Sequence, residues 1–230
     1  MTEPVRPVLA ALIDSGVAAG HPHLQGANIT GFGLDGDDAP FVRTDEFSDR
    51  TGHGTAAAAV LHWRAPGHPL LAIRVLDEEL RCTAALLAHA IRQAADAGAG
   101  VINLSLGSGR DEARDELADA VDYAGARGAI CVAAAHPRGR TLWPADLPTV
   151  ISAKSDRGCP ADALYSLPDQ RRFVAHGFPR PIEGRRPTDN LSGTSFAAAH
   201  VAAAVLRLGP GLTLAQAVER LRAAAAGPWG

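Results

Sequence analysis

Short apolar runs alternate with segments of helical periodicity along this chain, and that alternation restricts the folds open to it. Each run ends near a turn-forming residue, as buried strands of a parallel sheet do. The predicted strands are 8–13, 70–76, 101–107, 129–135 and 149–153. The predicted helices are 83–97, 111–127, 195–208 and 212–225, and a further helix of small residues begins at His53. This pattern predicts an α/β fold with a mostly parallel central sheet and helices on both faces.

One segment does not follow the alternation. Residues 154–190 are rich in proline and arginine and have little periodicity, so we predict long surface loops there. Loops at the carboxyl ends of parallel strands are where such sheets bind ligands.

Composition sets the class and excludes several partners. The 230 residues are 47% apolar, which suits a single domain spanning 1–230. A net charge of −3 gives no general attraction to nucleic acid, and no apolar run is long enough to span a membrane. The N-terminus lacks a basic region followed by a long apolar one, so it is a poor signal peptide. Cys82, Cys131 and Cys159 have no paired spacing and are predicted to be free thiols, as expected of a cytoplasmic protein.

Three short motifs carry residues suited to nucleophilic catalysis. Asp14 lies in IDSG, His53 in TGHGTAAAAV and Ser195 in SGTSFAAAH. A serine hydroxyl becomes a nucleophile when an imidazole takes its proton and a carboxylate orients that imidazole. Taken singly, these motifs also fit a turn, a loop and a closely packed helix. His200, five residues after Ser195, is expected to be a core histidine bonded to backbone.

In the order Asp, His, Ser, the chain resembles the subtilisin-like serine proteases, peptidase family S8. Four further stretches carry the same resemblance: HPHL (21–24), VINLSLG (101–107), CVAAA (131–135) and LPTVISA (147–153). It implies the three-layer subtilisin fold, a catalytic triad of Asp14, His53 and Ser195, and peptide or protein substrates. It also implies a substrate pocket between two short segments. These are Ser105, Leu106 and Gly107 on one side and Ala133, Ala134 and Ala135 on the other.

The turn after residue 135 departs from the family pattern Ala-Ala-Gly-Asn-x-Gly, whose asparagine side chain donates to the oxyanion. Here His136 takes the glycine position and Pro137, which has no donor, takes the asparagine position. The oxyanion hole is therefore predicted to use the Ser195 N–H. The imidazole of His136 is a candidate for the second donor, and its alternative is a side chain that points to solvent.

Two more departures concern calcium and the start of the chain. His23 replaces the acid of the family's His-Pro-Asp-Leu stretch, and the segment after His53 is too short for the family's calcium loop. We therefore expect no metal and no cofactor. Only 13 residues precede Asp14, so with Met1 as the start the chain is expected to fold without a prodomain.

Three functions fit these features. The first is a serine endopeptidase that processes one dedicated peptide or protein. The second is a pseudoprotease that binds peptides with little turnover, which the missing asparagine favours. The third is a transpeptidase or macrocyclase, in which an amine resolves the acyl-enzyme. The sequence makes no prediction of oligomeric state.

Overall fold

One nine-stranded sheet runs through the part of the chain that the computed structural model describes, residues 6–169 and 171–229. Residues 1–5, 170 and 230 belong to the predicted domain 1–230, and residue 170 also to the predicted loop; they lie outside the described residues. The strands are β1 Ala10–Asp14, β2 Ile29–Asp35, β3 Val42–Thr44, β4 Leu70–Arg74, β5 Val101–Leu104, β6 Ile130–Ala134, β7 Ile151–Asp156, β8 Leu164–Ser166 and β9 Arg172–His176. The α-helices are α1 His53–Arg64, α2 Ala84–Asp96, α3 Arg114–Ala126, α4 Thr194–Arg207 and α5 Leu214–Ala224.

The sheet has a parallel centre and antiparallel edges. Its order is β3-β2-β4-β1-β5-β6-β7-β9-β8, and only the outermost pairs, β2 with β3 and β8 with β9, are antiparallel. Strand β1 lies between β4 and β5, so the chain builds outward from β1 in both directions. The carboxyl end of β1 is therefore a topological switch point, where open α/β sheets bind their ligands.

Alternate residues of the central strands face two different cores. In β1, Ala10 and Leu12 pack with α1, α4 and α5, whereas Ala11 and Ile13 pack with α2 and α3. The helices thus cover both faces of the sheet and give three layers, as the sequence predicts. Within the described residues, no helix is both long enough and apolar enough to cross a membrane.

The five predicted strands and the predicted helices are present, with shifts of a few residues at their ends. Helix α2 begins where Thr83 caps it by accepting the Leu86 N–H at 3.1 Å. Helix α5 begins at a capping box made by Thr213 and Gln216.

The prediction of loops throughout 154–190 is wrong. Strand β7 continues to Asp156, and the segment contains β8 and β9. Strand β9 is buried along Phe173–Ala175 and pairs with β7 through five residue positions. A run of only three buried residues carries too little periodicity to identify β9 as a strand. Its extended conformation depends on pairing with β7, which a local pattern does not show.

Candidate active site

The three motif residues lie at the switch point. Asp14 is the last residue of β1, His53 is the first residue of α1, and Ser195 is the second residue of α4. Both helices lie on the same face of the sheet and pack against each other. The fold therefore brings Asp14 and His53, which are 39 positions apart, into contact and packs α4 against α1.

Asp14 and His53 form a short hydrogen bond. The distance from His53 Nδ1 to Asp14 Oδ1 is 2.7 Å, and the Asp14 side chain is only 1% exposed. Asp14 Oδ1 also accepts the Ser15 N–H at 2.7 Å. Gly54 makes this approach possible, because a Cβ there would overlap the Gly16 carbonyl oxygen and lie 3.1 Å from Asp14 Oδ1.

Asp14 also changes the pKa of the His53 imidazole. Burial on its own would lower the pKa of His53. The hydrogen bond and charge of Asp14, with the charge of Asp49, outweigh burial and raise the pKa of His53 above its ordinary value. A histidine held in this way accepts a proton readily at Nε2, which is what a general base requires.

Asp49 is a site residue that the sequence analysis missed. One of its carboxylate oxygens accepts from the N–H and hydroxyl of Thr55, at 2.8 and 2.6 Å. The other accepts the N–H groups of Thr51 and Gly52, at 3.0 and 2.9 Å, and the hydroxyl of Ser15 at 3.0 Å. Burial would raise the pKa of Asp49, but these donors outweigh it and lower that pKa.

This carboxylate fixes the first turn of α1 to the end of β1. Asp49 accepts the Thr55 N–H, which has no partner within the helix. The hydroxyl of Ser15, the residue after Asp14, donates to Asp49 and accepts the Gly54 N–H. No local pattern in the sequence marks it, because Asp49 lies four positions before the first helical residue and one of its donors, Ser15, is 34 positions away.

The Ser195 hydroxyl is turned toward the end of β5. Phe196, the next residue, has its ring centroid 5.4 Å from that of His53. Ser195 Oγ donates to the Ser105 carbonyl oxygen at 3.0 Å. Within the described residues, no hydrogen bond joins this hydroxyl to the His53 imidazole. The Ser195 N–H is in the first turn of α4, where amides lack helical partners and can face an oxyanion.

His136 is engaged within its own turn. Its Nδ1 lies 3.0 Å from the Arg138 N–H, and its Nε2 lies 3.2 and 3.1 Å from Nε and Nη2 of Arg140. A neutral imidazole has one acceptor nitrogen, so either Nδ1 or Nε2 of His136 accepts these bonds, but not both at once. The backbone contact is the better fixed, because the Gly139 N–H also closes the turn on the His136 carbonyl at 3.0 Å. Both ring nitrogens therefore face donors of the turn.

The predicted substrate segments differ in what they expose. Ser105, Leu106 and Gly107 follow β5, and Leu106 and Gly107 line a cavity of about 830 Å³. We call this cavity the β5-side groove; Leu76, Leu80 and Leu87 also line it.

The alanines of the second predicted segment are buried. Ala133 and Ala134 are buried in the cores on opposite faces of the sheet, so their side chains do not line a pocket. Ala135, just beyond the strand, is buried as well and donates its N–H to the Ala153 carbonyl oxygen.

Other residues with reactive side chains have structural roles. His200 Nε2 lies 3.1 Å from the Phe178 carbonyl oxygen, and burial lowers the pKa of His200 to about 4, so the prediction of a core histidine is confirmed. The three cysteines are free thiols, as predicted. Burial raises the pKa of Cys82 and Cys131 to about 12 and that of Cys159 to about 11, so they are poor nucleophiles.

An aspartate–histidine pair beside a serine at a helix start, on the carboxyl edge of a parallel sheet, is an arrangement that serine hydrolases use. The family model described as "Subtilase family" matches residues 6–216. The chain is 34% identical over 209 residues to thermitase from Thermoactinomyces vulgaris, covering 84% of this chain and 71% of thermitase. It is 36% identical over 211 residues to a thermophilic serine proteinase from Bacillus sp. (strain AK1), covering 84% of this chain and 49% of that proteinase.

Solved structures agree with the sequence relatives. A cold-adapted subtilisin-like serine proteinase superimposes with a TM-score of 0.72 at 24% identity, covering 95% of this chain and 84% of its own. The prenylagaramide maturation protease PagA superimposes with a TM-score of 0.68 at 28% identity, covering 94% of this chain and 78% of PagA. The chain therefore belongs to the subtilase family. It is a subtilisin-like serine endopeptidase, a hydrolase whose substrates are peptides or proteins.

Proposed function

We propose that this chain hydrolyses peptide bonds through an acyl-enzyme, with Ser195 as nucleophile, His53 as general base and Asp14 as the group that orients the imidazole. The 2.7 Å bond between Asp14 and His53 carries the proposal, because it leaves Nε2 of His53 free to take the serine proton. Ser195 Oγ then attacks the carbonyl carbon, and the proton passes from His53 to the leaving amine. Water attacks the acyl-enzyme in the same way and releases Ser195.

We also propose that the substrate is one dedicated peptide or protein. The similarity to PagA supports this, since that relative is a maturation protease.

A fluorophosphonate probe tests the nucleophile. It should label the wild-type protein and the Ser192→Ala variant, which removes an exposed serine three residues away. It should not label Ser195→Ala, whose melting temperature should match that of the wild type. Labelling of Ser195→Ala would disprove the assignment.

A peptide-binding protein with little turnover is the second candidate function. Two observations favour it: Pro137 supplies no oxyanion donor, and the Ser195 hydroxyl is bonded to the Ser105 carbonyl. A wild-type protein that binds peptides but is not labelled by the probe would establish this second function.

A further inference from the structure

A second cavity opens on the other side of the candidate site. It measures about 470 Å³ and is lined by residues from the start of α1, from 21–23, from 179–182 and from 190–191. We call it the α1-side groove. Gly52, which precedes His53, lines it, and so does Leu191, four residues before Ser195. The groove is therefore lined by the segments that lead into the proposed base and the proposed nucleophile.

The surface of this groove is mainly carbon. Ala59, Pro179, Ile182 and Leu191 contribute apolar walls. Ile182 and Leu191 are 38% and 44% exposed, and they are two of the four large apolar side chains that are exposed among the described residues. Exposed apolar side chains gathered around one cavity indicate a binding site.

The polar groups of the groove already have partners. The Asp49 carboxylate accepts from Thr51, Gly52 and Thr55. The Arg180 guanidinium donates to the His23 carbonyl oxygen at 3.0 Å. A polar side chain entering the groove would lose hydrogen bonds to water and gain few in return, whereas an apolar one would gain from burial.

The position of His53 identifies which half of a substrate reaches this groove. In the proposed mechanism, His53 gives its proton to the leaving amine, so the segment after the scissile bond must pass beside it. The α1-side groove is lined by Gly52, directly before His53, and by three residues of α1, whereas the β5-side groove is lined by Leu106 and Gly107 and by no residue of α1. We propose that the α1-side groove binds an apolar side chain, such as Leu, Ile, Val or Phe, from the substrate segment that follows the scissile bond. This inference rests on the proposed hydrolase function.

Cleavage of a complex peptide mixture tests the preference. A proteome digest is incubated with the wild-type protein, and mass spectrometry identifies the residues after each cut. Apolar residues should be enriched about ten-fold at the first or second position after the cut, as a contact of one side chain in an apolar pocket provides. The enrichment should be lost in the Ile182→Ser, Leu191→Ser double variant. It should remain in Val42→Ser, which alters a 59% exposed apolar residue at the edge of the sheet.

Binding measured without turnover separates failure of this inference from failure of the proposed function. NMR titrations compare Leu-Leu-amide with Ser-Ser-amide on Ser195→Ala protein, with and without the Ile182→Ser and Leu191→Ser substitutions. Leu-Leu-amide should bind about ten-fold more tightly, and only when Ile182 and Leu191 are intact. Selective binding without any cleavage would overturn the hydrolase function but keep the apolar site. Cleavage without apolar enrichment, or equal binding of both amides, would overturn the inference.

Discussion

At the scale of single residues, Asp49 connects the start of α1 to the chemistry of His53. Its charge helps to raise the pKa of His53, and its carboxylate holds Thr51, Gly52 and Thr55 in place. It does not contact the proposed nucleophile through any hydrogen bond within the described residues. Asp49 is therefore a positioning residue, whose effect should be visible in the pH profile as well as in the rate.

The pH dependence of kcat/KM tests this role. His53 must be neutral to act as a base, so kcat/KM should fall as pH drops through the pKa of His53, which is raised above its ordinary value. Asp49→Asn removes a charge that raises this pKa, so the acid limb should move to lower pH. Asp45→Asn, an exposed acid on the same loop, should leave the limb in place. An acid limb at the wild-type position in Asp49→Asn would refute the role.

Pro137 allows a second prediction at this scale. In subtilisin itself, losing the oxyanion asparagine costs about 2.7–4 kcal/mol of transition-state stabilisation, a rate factor of roughly 10²–10³. Pro137→Asn should therefore raise kcat, with KM little changed, on any peptide the wild type cleaves. His136→Ala serves as the comparison, because both nitrogens of His136 already face the turn. A ten-fold fall in kcat for His136→Ala would show that His136 is the missing donor.

The sequence identifies the triad candidates but not Asp49. Asp14, His53 and Ser195 lie in motifs whose order and neighbours are specific, so the resemblance locates them without coordinates. The role of Asp49 depends on donors from several other residues, one of which, Ser15, is more than 30 positions away. Such a cluster becomes visible only when the fold brings the residues together.

At the scale of elements, the close packing of the start of α1 against the end of β1 depends on Gly54. A Cβ at this position would overlap the Gly16 carbonyl oxygen, and the backbone at Gly16 cannot move easily to make room. Gly54→Ala should shift the start of α1, lengthen the bond between His53 and Asp14, and destabilise the fold by about 1–3 kcal/mol. We expect at least a hundred-fold loss of kcat/KM, measured together with the unfolding free energy.

A matched substitution in another helix controls for the general effect of adding a methyl group. Gly125 lies in α3, and a Cβ added there would meet no neighbouring group within 4 Å. Gly125→Ala should therefore stabilise the protein by about 0.5–1 kcal/mol, because alanine favours a helix more than glycine does. Its activity should equal that of the wild type. Unchanged activity in Gly54→Ala would show that α1 does not need this close approach.

The accuracy of the element predictions follows the strength of the local pattern. The central strands and long helices are found because each is a continuous apolar run or a clear 3.6-residue period. Strands β2, β3, β8 and β9 are missed for the opposite reason. Strand β2 contains two glycines, while β3 and β8 have three residues each and form the edges of the sheet. Pairing with distant strands, not local propensity, makes these segments extended.

At the scale of the whole molecule, the topology accounts for the position of the site. Building outward from β1 in both directions leaves a crevice at its carboxyl end, into which the starts of α1 and α4 project. The two grooves lie on opposite sides of this crevice. The sequence predicts the layers and the parallel sheet, but not the strand order that creates the crevice, because that order is set by crossovers between distant segments.

The stability of the whole fold is expected not to depend on calcium. At His23, where the family resemblance implies a calcium-binding acid, the backbone carbonyl accepts the Arg180 guanidinium at 3.0 Å. Burial first, and then the charge of Arg180, lowers the pKa of His23. A fixed cation at this point repels a second one, and the carboxylate that calcium would bind is replaced by an imidazole. Within residues 6–169 and 171–229, no cluster of three or more His, Cys, Asp or Glu side chains is placed to hold a metal.

We therefore expect the melting temperature to be the same with and without a calcium chelator, because a ligand stabilises a fold only when it binds the native state. Arg180→Ala should lower the melting temperature by about 2–4 °C, as the loss of about 1 kcal/mol does in a protein of this size, and should remain insensitive to the chelator. Differential scanning calorimetry of both proteins, with chelator and with added calcium, measures these shifts. A fall of several degrees on chelation that calcium reverses would contradict the prediction. It would show that calcium binds the native state without the acid that His23 replaces.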